Sequence, residues 1–461
     1  MQPIDIGDLE LDGRHSTKQQ ALYEAVQAKI LSGQWPRNGK LPASRQMATE
    51  LGVSRNTVTA VYDQLRAEGY IDSRPGAGFF IQVSTPDKYL QAAPKALAES
   101  RQVPAKSAAV SSDDTQTIVE RNRPFSTGVP DLVNFPYKKW ARAMQEQFQR
   151  PLISGQNTTQ GSAALRMALS DYLSSSRSVS APPHRIILTL GAQQALYIAM
   201  QALLKQGDEV MTELPGYVQM HKVLRQSGAA IKHMAVSPDT GTDINALAHF
   251  HGKALYLTPS NHYPMGTSID THCRMHCIEW ASKNDRWIIE DDYDSEFQFA
   301  SRPYPSLQGL ATTLHGDDAR VIYIGTFSKA FLPAVRVGYM VVPDFLVDDC
   351  LAVKDTIGGD TSPYVEEALA AFIAEGHYLR HIRKMRHLYQ QKHRLFVELL
   401  EKQLGNRVCV ISQPAGLHVT FSWKDGPLAK DVQRRLAKVG ISIRTLATIS
   451  TRQTTQRCRH G

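Results

Sequence analysis

The spacing of apolar residues divides the chain into two regions. In the first region, apolar positions recur at helical intervals and predict helices over 17–33 and 44–51, and a third helix that begins at Ser54. From residue 125 onward, short apolar runs alternate with amphipathic stretches, which predicts strands at 186–190, 210–213, 254–258, 287–290, 321–324 and 337–342, and helices at 161–174, 193–205 and 272–283. This alternation indicates an α/β domain with a mostly parallel sheet and a ligand site at the carboxyl edge of its strands.

The second and third predicted helices are separated by a short turn at Gly52-Val53. Ser44 and Ser54 each precede an apolar stripe and are predicted to cap these two helices. Two short helices joined by a turn that contains glycine form a helix-turn-helix, and Arg45 in the first of them is placed to contact a DNA phosphate. The exposed first turn of the second helix is where a recognition helix meets base edges, and here it carries Arg55, Asn56 and Thr57.

Residues 69–81 alternate between apolar and polar side chains on both sides of Pro75-Gly76, which predicts a two-stranded hairpin. A hairpin directly after a helix-turn-helix is a wing, and Gly78 in that wing is a predicted DNA contact. Residues 14–82 contain nine Lys or Arg against five Asp or Glu, a net charge of +4, which suits a nucleic-acid partner. Residues 1–82 are therefore predicted to be an α+β winged helix-turn-helix domain that binds double-stranded DNA; a small helical interaction module is the alternative.

Between the two regions, residues 83–124 are rich in Ala, Ser, Pro, Gln and Lys and contain few large apolar residues. This composition predicts a flexible linker. The α/β domain is expected to occupy 125–461, with a smaller subdomain from about residue 345 that contains long helices at 362–376 and 377–404 and strands at 408–411 and 417–421.

A single lysine, Lys329, follows the predicted strand at 321–324, with Thr326 and Ser328 just before it and Arg336 seven residues after it. An ammonium at the end of a buried strand is costly to desolvate, and a Schiff base with an aldehyde removes that cost. Arg336 is a fixed cation suited to a phosphate. These residue types suggest pyridoxal phosphate, and an ordinary solvated loop lysine is the alternative.

Two further strand ends support this interpretation. Asp291 follows the predicted strand at 287–289, and a buried carboxylate there would keep a pyridine nitrogen protonated, while Tyr293 would hydrogen-bond the ring hydroxyl. A metal site or a solvated acidic turn is the alternative for these residues. At the third strand end, Gly191 precedes a helix that starts near Gln193, and the free N–H groups of a helix start bind anions.

The composition of all 461 residues sets broad limits on partners and location. The net charge of +8 permits a nucleic-acid partner, no apolar run approaches the length of a membrane span, and a cytoplasmic location is expected. Five cysteines suit reduced thiols. His272/His276 and Cys273/Cys277 form two i, i+4 pairs, but the two pairs point about 100° apart on a helix, so no metal site is predicted.

The motifs around these residues resemble known families. The stretches L-P-A-S-R-Q-M-A, G-V-S-R-N-T-V and G-A-G within 14–82 resemble a GntR-type winged helix, and residues from 125 to about 445 resemble fold-type I aminotransferases, which use pyridoxal phosphate. The fusion in this order resembles the MocR group of bacterial regulators, which includes GabR- and PdxR-like proteins; I-I-E-D-D-Y-D-S-E-F and G-T-F-S-K-A-F-L-P-A-V-R-V-G are specific to it. The resemblance implies a homodimer with the cofactor in a Schiff base on Lys329. Its implied ligands to the cofactor are Asp291 at the ring nitrogen, Tyr293 at the ring hydroxyl, Tyr217 packed on the ring, and Ala192, Gln193, Thr326 and Arg336 at the phosphate.

Three positions depart from the family pattern. Gln156 lies near the place of a tyrosine that reaches a neighbouring subunit's cofactor, and Tyr263, which is expected to line the cofactor site, stands where aminotransferases carry an asparagine. After residues 440–447 the family continues through a further strand and helix, which supply the arginine that grips a substrate carboxylate. Here residues 448–461 are polar and basic instead. This tail indicates a truncation or a shifted reading frame, or else a natural divergent tail; the smaller subdomain is expected to be incomplete, and the carboxylate arginine has no assignable position.

The sequence therefore predicts a transcriptional regulator whose effector, a small amine, an amino acid or pyridoxal phosphate itself, acts through Lys329. An aminotransferase with a fused DNA-binding domain is the second hypothesis, and the absence of the carboxylate arginine argues against it. The third hypothesis is a GntR-type regulator whose large domain binds a ligand without a cofactor.

Overall fold

The computed structural model describes residues 4, 6–7, 9, 17–36, 38–82, 123–150, 158–283, 285–299, 304–424 and 426–446. These residues fall into two compact units, divided between Ser111 and Ser112. Most of the predicted linker, the region around Gln156 and the tail at 448–461 lie outside the described residues. Among the helices that the structure describes, none is both long enough and apolar enough to cross a membrane.

The N-terminal unit consists of three helices followed by a hairpin: α1 (Lys18–Leu31), α2 (Ser44–Glu50), α3 (Arg55–Ala67), β1 (Ile71–Arg74) and β2 (Gly78–Ile81). The two strands are antiparallel, with Ile71 opposite Ile81 and Arg74 opposite Gly78. The core of the N-terminal unit contains fully buried residues from every element, among them Leu22, Met47, Val61 and Ile81. The predicted helix-turn-helix and wing are both confirmed.

The two predicted helix caps have different outcomes. The side chain of Ser54 accepts a hydrogen bond from the backbone N–H of Thr57, which confirms it as the cap of α3. The prediction for Ser44 is wrong, because the first backbone bond of α2 runs from Met47 to the carbonyl of Ala43, so the helix begins one residue earlier. Ser44 is therefore the first helical residue and makes no capping bond.

The C-terminal unit is built on one sheet of eight strands in the order β3-β10-β9-β8-β7-β4-β5-β6. Its strands are β3 (Ile186–Thr189), β4 (Glu209–Leu214), β5 (Ala230–Ser237), β6 (Gly241–Thr242), β7 (Ala254–Leu257), β8 (Trp287–Asp292), β9 (Val321–Thr326) and β10 (Gly338–Val341). Strands β9, β8, β7, β4 and β5 run parallel, whereas β10 is antiparallel to both of its neighbours. The predicted mostly parallel sheet is thus confirmed. Strands β5 and β6, which lie at one edge with polar residues exposed, were not predicted from the sequence.

Helices cover both faces of this sheet: α4 (Tyr137–Phe148), α5 (Ala163–Arg177), α6 (Ala192–Leu203), α7 (Val218–Gln226), α8 (Thr271–Lys283), α9 (Leu307–His315), α10 (Phe327–Ala330) and α11 (Val347–Ile357). Successive strand residues face opposite ways: Ile289 belongs to the core that contains α6 residues, and Ile288 to the core that contains α8 residues. This double burial explains the continuous apolar runs in the sequence. Short 3-10 turns join some of these elements: Pro183–Arg185, Ile244–His249, Ser295–Phe297, Gly316–Asp318, Pro333–Val335 and Asp344–Leu346.

Two central strands are longer than the sequence predicted. The acidic residues expected just past strand 287–289 lie inside β8, because Asp291 and Asp292 pair with Ile324 and Gly325 of β9. Strand β9 likewise continues through Gly325, which was expected to break it. The ring of Tyr339 on the neighbouring strand packs where a side chain at Gly325 would lie, so a glycine permits this close packing.

The smaller subdomain contains helices α12 (Pro363–Ala374), α13 (His377–Leu404) and α14 (Ala429–Lys438), the 3-10 turn Gly405–Arg407, and strands β11 (Val408–Val410) and β12 (Phe421–Trp423). The two long helices and the first strand are confirmed. The strand expected at 417–421 lies at Phe421–Trp423 instead. The expected strand does not begin at Leu417, because the backbone N–H of Leu417 donates to Asp294, which follows β8, and not to a neighbouring strand.

Candidate functional site

Lys329 lies in the short helix α10, directly after the carboxyl end of β9, and its side chain is half-buried. The ammonium Nζ donates a 2.7 Å hydrogen bond to the carbonyl of Gly128, which comes from a distant part of the chain. Thr326 is the helix cap, and its hydroxyl accepts a hydrogen bond of 3.2 Å from the N–H of Ser328. The predicted lysine and the two predicted hydroxyl residues are therefore gathered at one strand end.

Asp291 is buried and lies on β8, the strand that pairs with β9. Its Oδ2 accepts a 2.7 Å hydrogen bond from the phenol of Tyr256, while its Oδ1 has no hydrogen-bond partner among the described residues. Burial raises the pKa of Asp291 to about 7; nearby Asp292 adds to this effect, and the Tyr256 hydrogen bond and Lys329 oppose it. Because only Oδ2 is hydrogen-bonded, the Oδ1 oxygen of Asp291 is available for a further donor or cation.

Asp292, the next residue of β8, is held in a different way. It forms a buried ion pair of 2.9 Å with Arg177 and accepts a 2.7 Å hydrogen bond from Tyr323. Arg177 also donates to the hydroxyl of Ser260 at 2.7 Å. Breaking such a buried ion pair is strongly destabilising. These contacts therefore hold the end of β8 in place, and with it the neighbouring residue Asp291.

Three tyrosines form an aromatic wall near Asp291. The rings of Tyr217 and Tyr263 lie edge to face at 6.4 Å, as do those of Tyr263 and Tyr293. The hydroxyl of Tyr293 is buried and has no partner in the described part of the chain. Burial, together with Asp291 and Tyr263, raises the pKa of Tyr217 to about 12, so the phenol stays protonated.

The start of helix α6 forms a cradle opposite Arg336. Gly191, with φ of 85°, precedes the first helical residues Ala192 and Gln193, whose backbone N–H groups lie in the first turn, where intrahelical acceptors are absent. The guanidinium of Arg336 donates to the carbonyl of Leu190 at 2.9 Å. A Cβ at Gly191 would lie 3.6 Å from that guanidinium. A helix start with an arginine guanidinium close to it suits an anion.

Several residues of the site carry no signal in the sequence. Tyr256 comes from the middle of a buried strand, and Gly128 and His418 come from the two ends of the domain. Arg444 is exposed, and its guanidinium donates to the hydroxyl of Tyr263 at 3.3 Å. From the sequence, the arginine that grips a carboxylate had no assignable position; in the structure, Arg444 is an arginine that contacts the aromatic wall.

The predicted DNA contacts lie on the N-terminal unit. Arg55 and Asn56 are exposed at the start of α3, and Arg45 is exposed in α2. The hydroxyl of Thr57 lies 2.8 Å from that of Ser54, so both are partly used by the helix cap. Gly78 has φ of 102° at the start of β2, a conformation that favours glycine.

The described residues contain no group of three or more His, Cys, Asp and Glu side chains placed to hold a metal ion. Within helix α8, Cys277 is packed in the core and Arg274 is fully buried. The guanidinium of Arg274 donates to the carbonyls of Pro259, Ile269 and Pro305. These contacts give that stretch of the helix a structural role.

Comparison with known families agrees with this architecture. Residues 18–81 match the family described as bacterial regulatory proteins, gntR family, and residues 124–458 match aminotransferase class I and II. The chain is therefore a GntR-type DNA-binding domain joined to an aminotransferase-like domain.

Individual relatives narrow this class. The chain is 33% identical over 400 residues to the probable rhizopine catabolism regulatory protein MocR of Rhizobium meliloti, covering 86% of this chain and 80% of the relative. It is 29% identical to the pyridoxine biosynthesis transcriptional regulator PdxR of Corynebacterium glutamicum, covering 87% and 82%. The α-aminoadipate aminotransferase LysN of Thermus thermophilus shares the fold, with a TM-score of 0.65 and 22% identity over 73% of this chain and 86% of that one. The chain belongs to the MocR subfamily of GntR-type transcriptional regulators, and its fold includes the fold-type I domain that the sequence predicted.

Proposed function

We propose that this DNA-binding regulator senses a small amine, an amino acid or pyridoxal phosphate itself through a cofactor bound at Lys329. The observation that carries the proposal is the set of polar groups gathered at the ends of β8 and β9. These groups are the Asp291 Oδ1 and the Tyr293 hydroxyl, both without a partner among the described residues, and the Lys329 amine next to them in the fold.

These residues fit pyridoxal phosphate group by group. Asp291 would hold the proton on the ring nitrogen, Tyr293 would donate to the ring hydroxyl, and Tyr217 would pack against the ring. The phosphate would lie in the cradle of Ala192, Gln193, Thr326, Ser328 and Arg336. When bound, the cofactor supplies an aldehyde that reacts reversibly with primary amines, including that of Lys329.

Regulation follows from differential binding. An effector shifts the protein between two arrangements only if it binds one of them more tightly. We infer that the functional form is a homodimer, so that two winged helices on an operator respond to the state of two such sites. In this scheme residues 1–82 bind DNA, 83–124 link the domains, and 125–461 bind the cofactor and effector.

The test is an absorbance spectrum of the purified protein before and after borohydride, followed by peptide mass analysis. A visible band that borohydride removes, with the cofactor mass fixed on the peptide containing Lys329, supports the proposal. A colourless protein that does not bind added pyridoxal phosphate contradicts it, and favours a GntR-type regulator that binds its ligand without a cofactor.

An aminotransferase with a fused DNA-binding domain is the second candidate. Arg444 favours it, because this cation lies beside the aromatic wall, where it could hold a substrate carboxylate. Turnover assays with amino donors and 2-oxo acids separate the two functions. Repeated conversion of donor to 2-oxo acid supports the enzyme, and a single stoichiometric change at the cofactor supports the sensor.

A further inference from the structure

One segment of the smaller subdomain, residues 412–418, crosses to the ends of the large-domain strands; we call it the crossing segment. The backbone N–H of Gly416 donates to the carbonyl of Phe297 at 2.8 Å, and that of Gln413 donates to Gly266 at 3.0 Å. The N–H of Leu417 donates to the Asp294 carboxylate at 3.3 Å. The segment is therefore attached both near Tyr293 and near Tyr263.

Gly416 shows how closely the crossing segment approaches these strand ends. It has φ of 71°, and a Cβ there would lie 2.0 Å from the Asn261 amide nitrogen and 2.6 Å from the Asp294 carboxylate. Any larger residue would push the segment away. The position of His418, two residues later, is therefore set by backbone contacts and by a close approach that requires glycine.

The imidazole of His418 lies against the aromatic wall, with its ring 5.6 Å from that of Tyr263 and inclined at 69°. Its ring lies close enough to the backbone of Pro264 to hydrogen-bond it. Proline has no N–H, so the acceptor is its carbonyl and the bonded ring nitrogen carries the proton. The other nitrogen, Nε2, is shielded from solvent and has no partner among the described residues.

The charge state of this ring agrees with that assignment. Burial lowers the pKa of His418 to about 4; the backbone of Pro264 opposes this effect, and His262 and Lys329 add to it. The ring is therefore neutral near pH 7, with the proton on the nitrogen that faces Pro264. Its Nε2 is then a buried acceptor with no donor in the described part of the chain, and such groups are usually satisfied by a ligand or a water molecule.

We propose that His418 Nε2 accepts a hydrogen bond from the effector and selects primary amines that carry a second donor, a hydroxyl or another amino group. This inference rests on the proposed function, since it concerns a ligand held next to the cofactor. The cofactor's own polar groups already have matching residues in Asp291, Tyr293 and the anion cradle, whereas the acceptor of His418 has none. A site with such an acceptor favours a ligand that satisfies it over the same ligand without the donor.

The experiment uses the full-length protein loaded with pyridoxal phosphate and pairs of amines that differ by one hydroxyl: serine and alanine, 3-amino-2-hydroxypropanoate and 3-aminopropanoate, and ethanolamine and ethylamine. Dissociation constants come from the change in the visible spectrum. We expect the hydroxyl member of at least one pair to bind about 3- to 10-fold tighter, which is the effect of one hydrogen bond.

Two amide variants separate the two nitrogens of the ring. The side-chain amide of His418→Asn can still reach Pro264 but not the position of Nε2, so we expect it to keep the cofactor and lose the preference. The amide of His418→Gln reaches the position of Nε2, and we expect it to restore part of the preference. Equal binding within every pair by the unaltered protein, or an unchanged preference in His418→Asn, would overturn the role of His418. If no amine changed the spectrum of the loaded protein, amine sensing itself would be wrong, and the inference with it.

Discussion

The phenol of Tyr256 donates a 2.7 Å hydrogen bond to Oδ2 of Asp291, and Oδ1 of the same buried carboxylate has no partner in the described part of the chain. Tyr256 lies on β7 and Asp291 on β8, and the two strands are parallel neighbours. The hydrogen bond holds one oxygen and leaves the other for a ligand. A buried carboxylate with one open position is a suitable partner for a protonated ring nitrogen.

Replacement of Lys329 tests the covalent link. We expect Lys329→Ala to abolish the visible absorbance band while the protein stays folded, because Lys329 is the amine that follows β9 beside the hydroxyls of Thr326 and Ser328. Absorbance and circular dichroism measure the two outcomes. Lys283→Ala, an exposed lysine on α8, is the matched control and should keep the band. A normal band in Lys329→Ala would place the link on another amine.

Replacement of Asp291 tests the counter-charge of the ring nitrogen. We expect Asp291→Ala and Asp291→Asn both to weaken retention of pyridoxal phosphate about 30-fold or more, since a buried charge pair loses one partner. Equilibrium dialysis gives the affinity. Asp349→Ala, which removes an exposed carboxylate from α11, should change nothing. Equal cofactor affinity in Asp291→Asn and the unaltered protein would contradict the assignment.

Two exposed arginines of the helix-turn-helix, Arg45 and Arg55, are expected to contact DNA in different ways. Arg55 opens α3, so Arg55→Ala should cost about 1–3 kcal/mol on an operator and much less on random DNA. Arg45 lies in α2, so Arg45→Ala should weaken binding to both DNAs and lower the salt slope by about one per monomer. The measurement is a salt series with an operator selected from a random-sequence pool. If Arg55→Ala lost affinity equally on both DNAs, base reading would pass to Asn56 and Thr57.

The buried carboxyl of Asp294 should make the stability of the protein depend on pH. Burial raises its pKa from 3.8 to about 7, so the folded state binds more protons than the unfolded state between these values. The free energy of unfolding therefore falls as pH rises through this window. Asn261 donates to both carboxylate oxygens at 3.0 Å, and an amide at position 294 keeps one acceptor for it.

We expect Asp294→Asn to remove this dependence, so that its stability relative to the unaltered protein increases with pH by up to about 1.4 kcal/mol per unit between pH 4 and 7. Urea unfolding of the cofactor-free protein at several pH values measures it. Asp239→Asn, in an exposed turn, serves as the control. Parallel pH profiles for Asp294→Asn and the unaltered protein would show that Asp294 ionises normally when folded.

The sequence predicted those parts of the site that lie next to one another along the chain. Lys329 was visible because a strand, a turn and two hydroxyls precede it, and Asp291 because it follows a run of apolar residues. Both were placed at the correct edge of the sheet. The ends of β8 and β9 were placed too early, because a buried strand tolerates carboxylates and glycine when a neighbouring strand pairs with them.

The remaining contacts come from long-range packing, which local patterns do not report. Tyr256 has the appearance of an ordinary core residue, and its role depends on the register of β7 against β8. His418 and Arg444 contact Tyr263 of the aromatic wall although they lie more than 150 positions later in the chain. Ser44 shows that a local pattern can also mislead: serine is a good capping residue, but here it lies one position inside the helix that it was expected to cap.

The hydrogen bond from Lys329 to Gly128 joins residues that are 201 positions apart, and it has a consequence for biosynthesis. At ribosomal rates of about 5–20 residues per second, roughly 10–40 s separate the emergence of the two partners. The core of the N-terminal unit consists only of residues up to Ile81. The nascent chain thus contains the whole core of the N-terminal unit well before both partners of this contact have been synthesised, and a cofactor held as proposed on Lys329 binds after that stage.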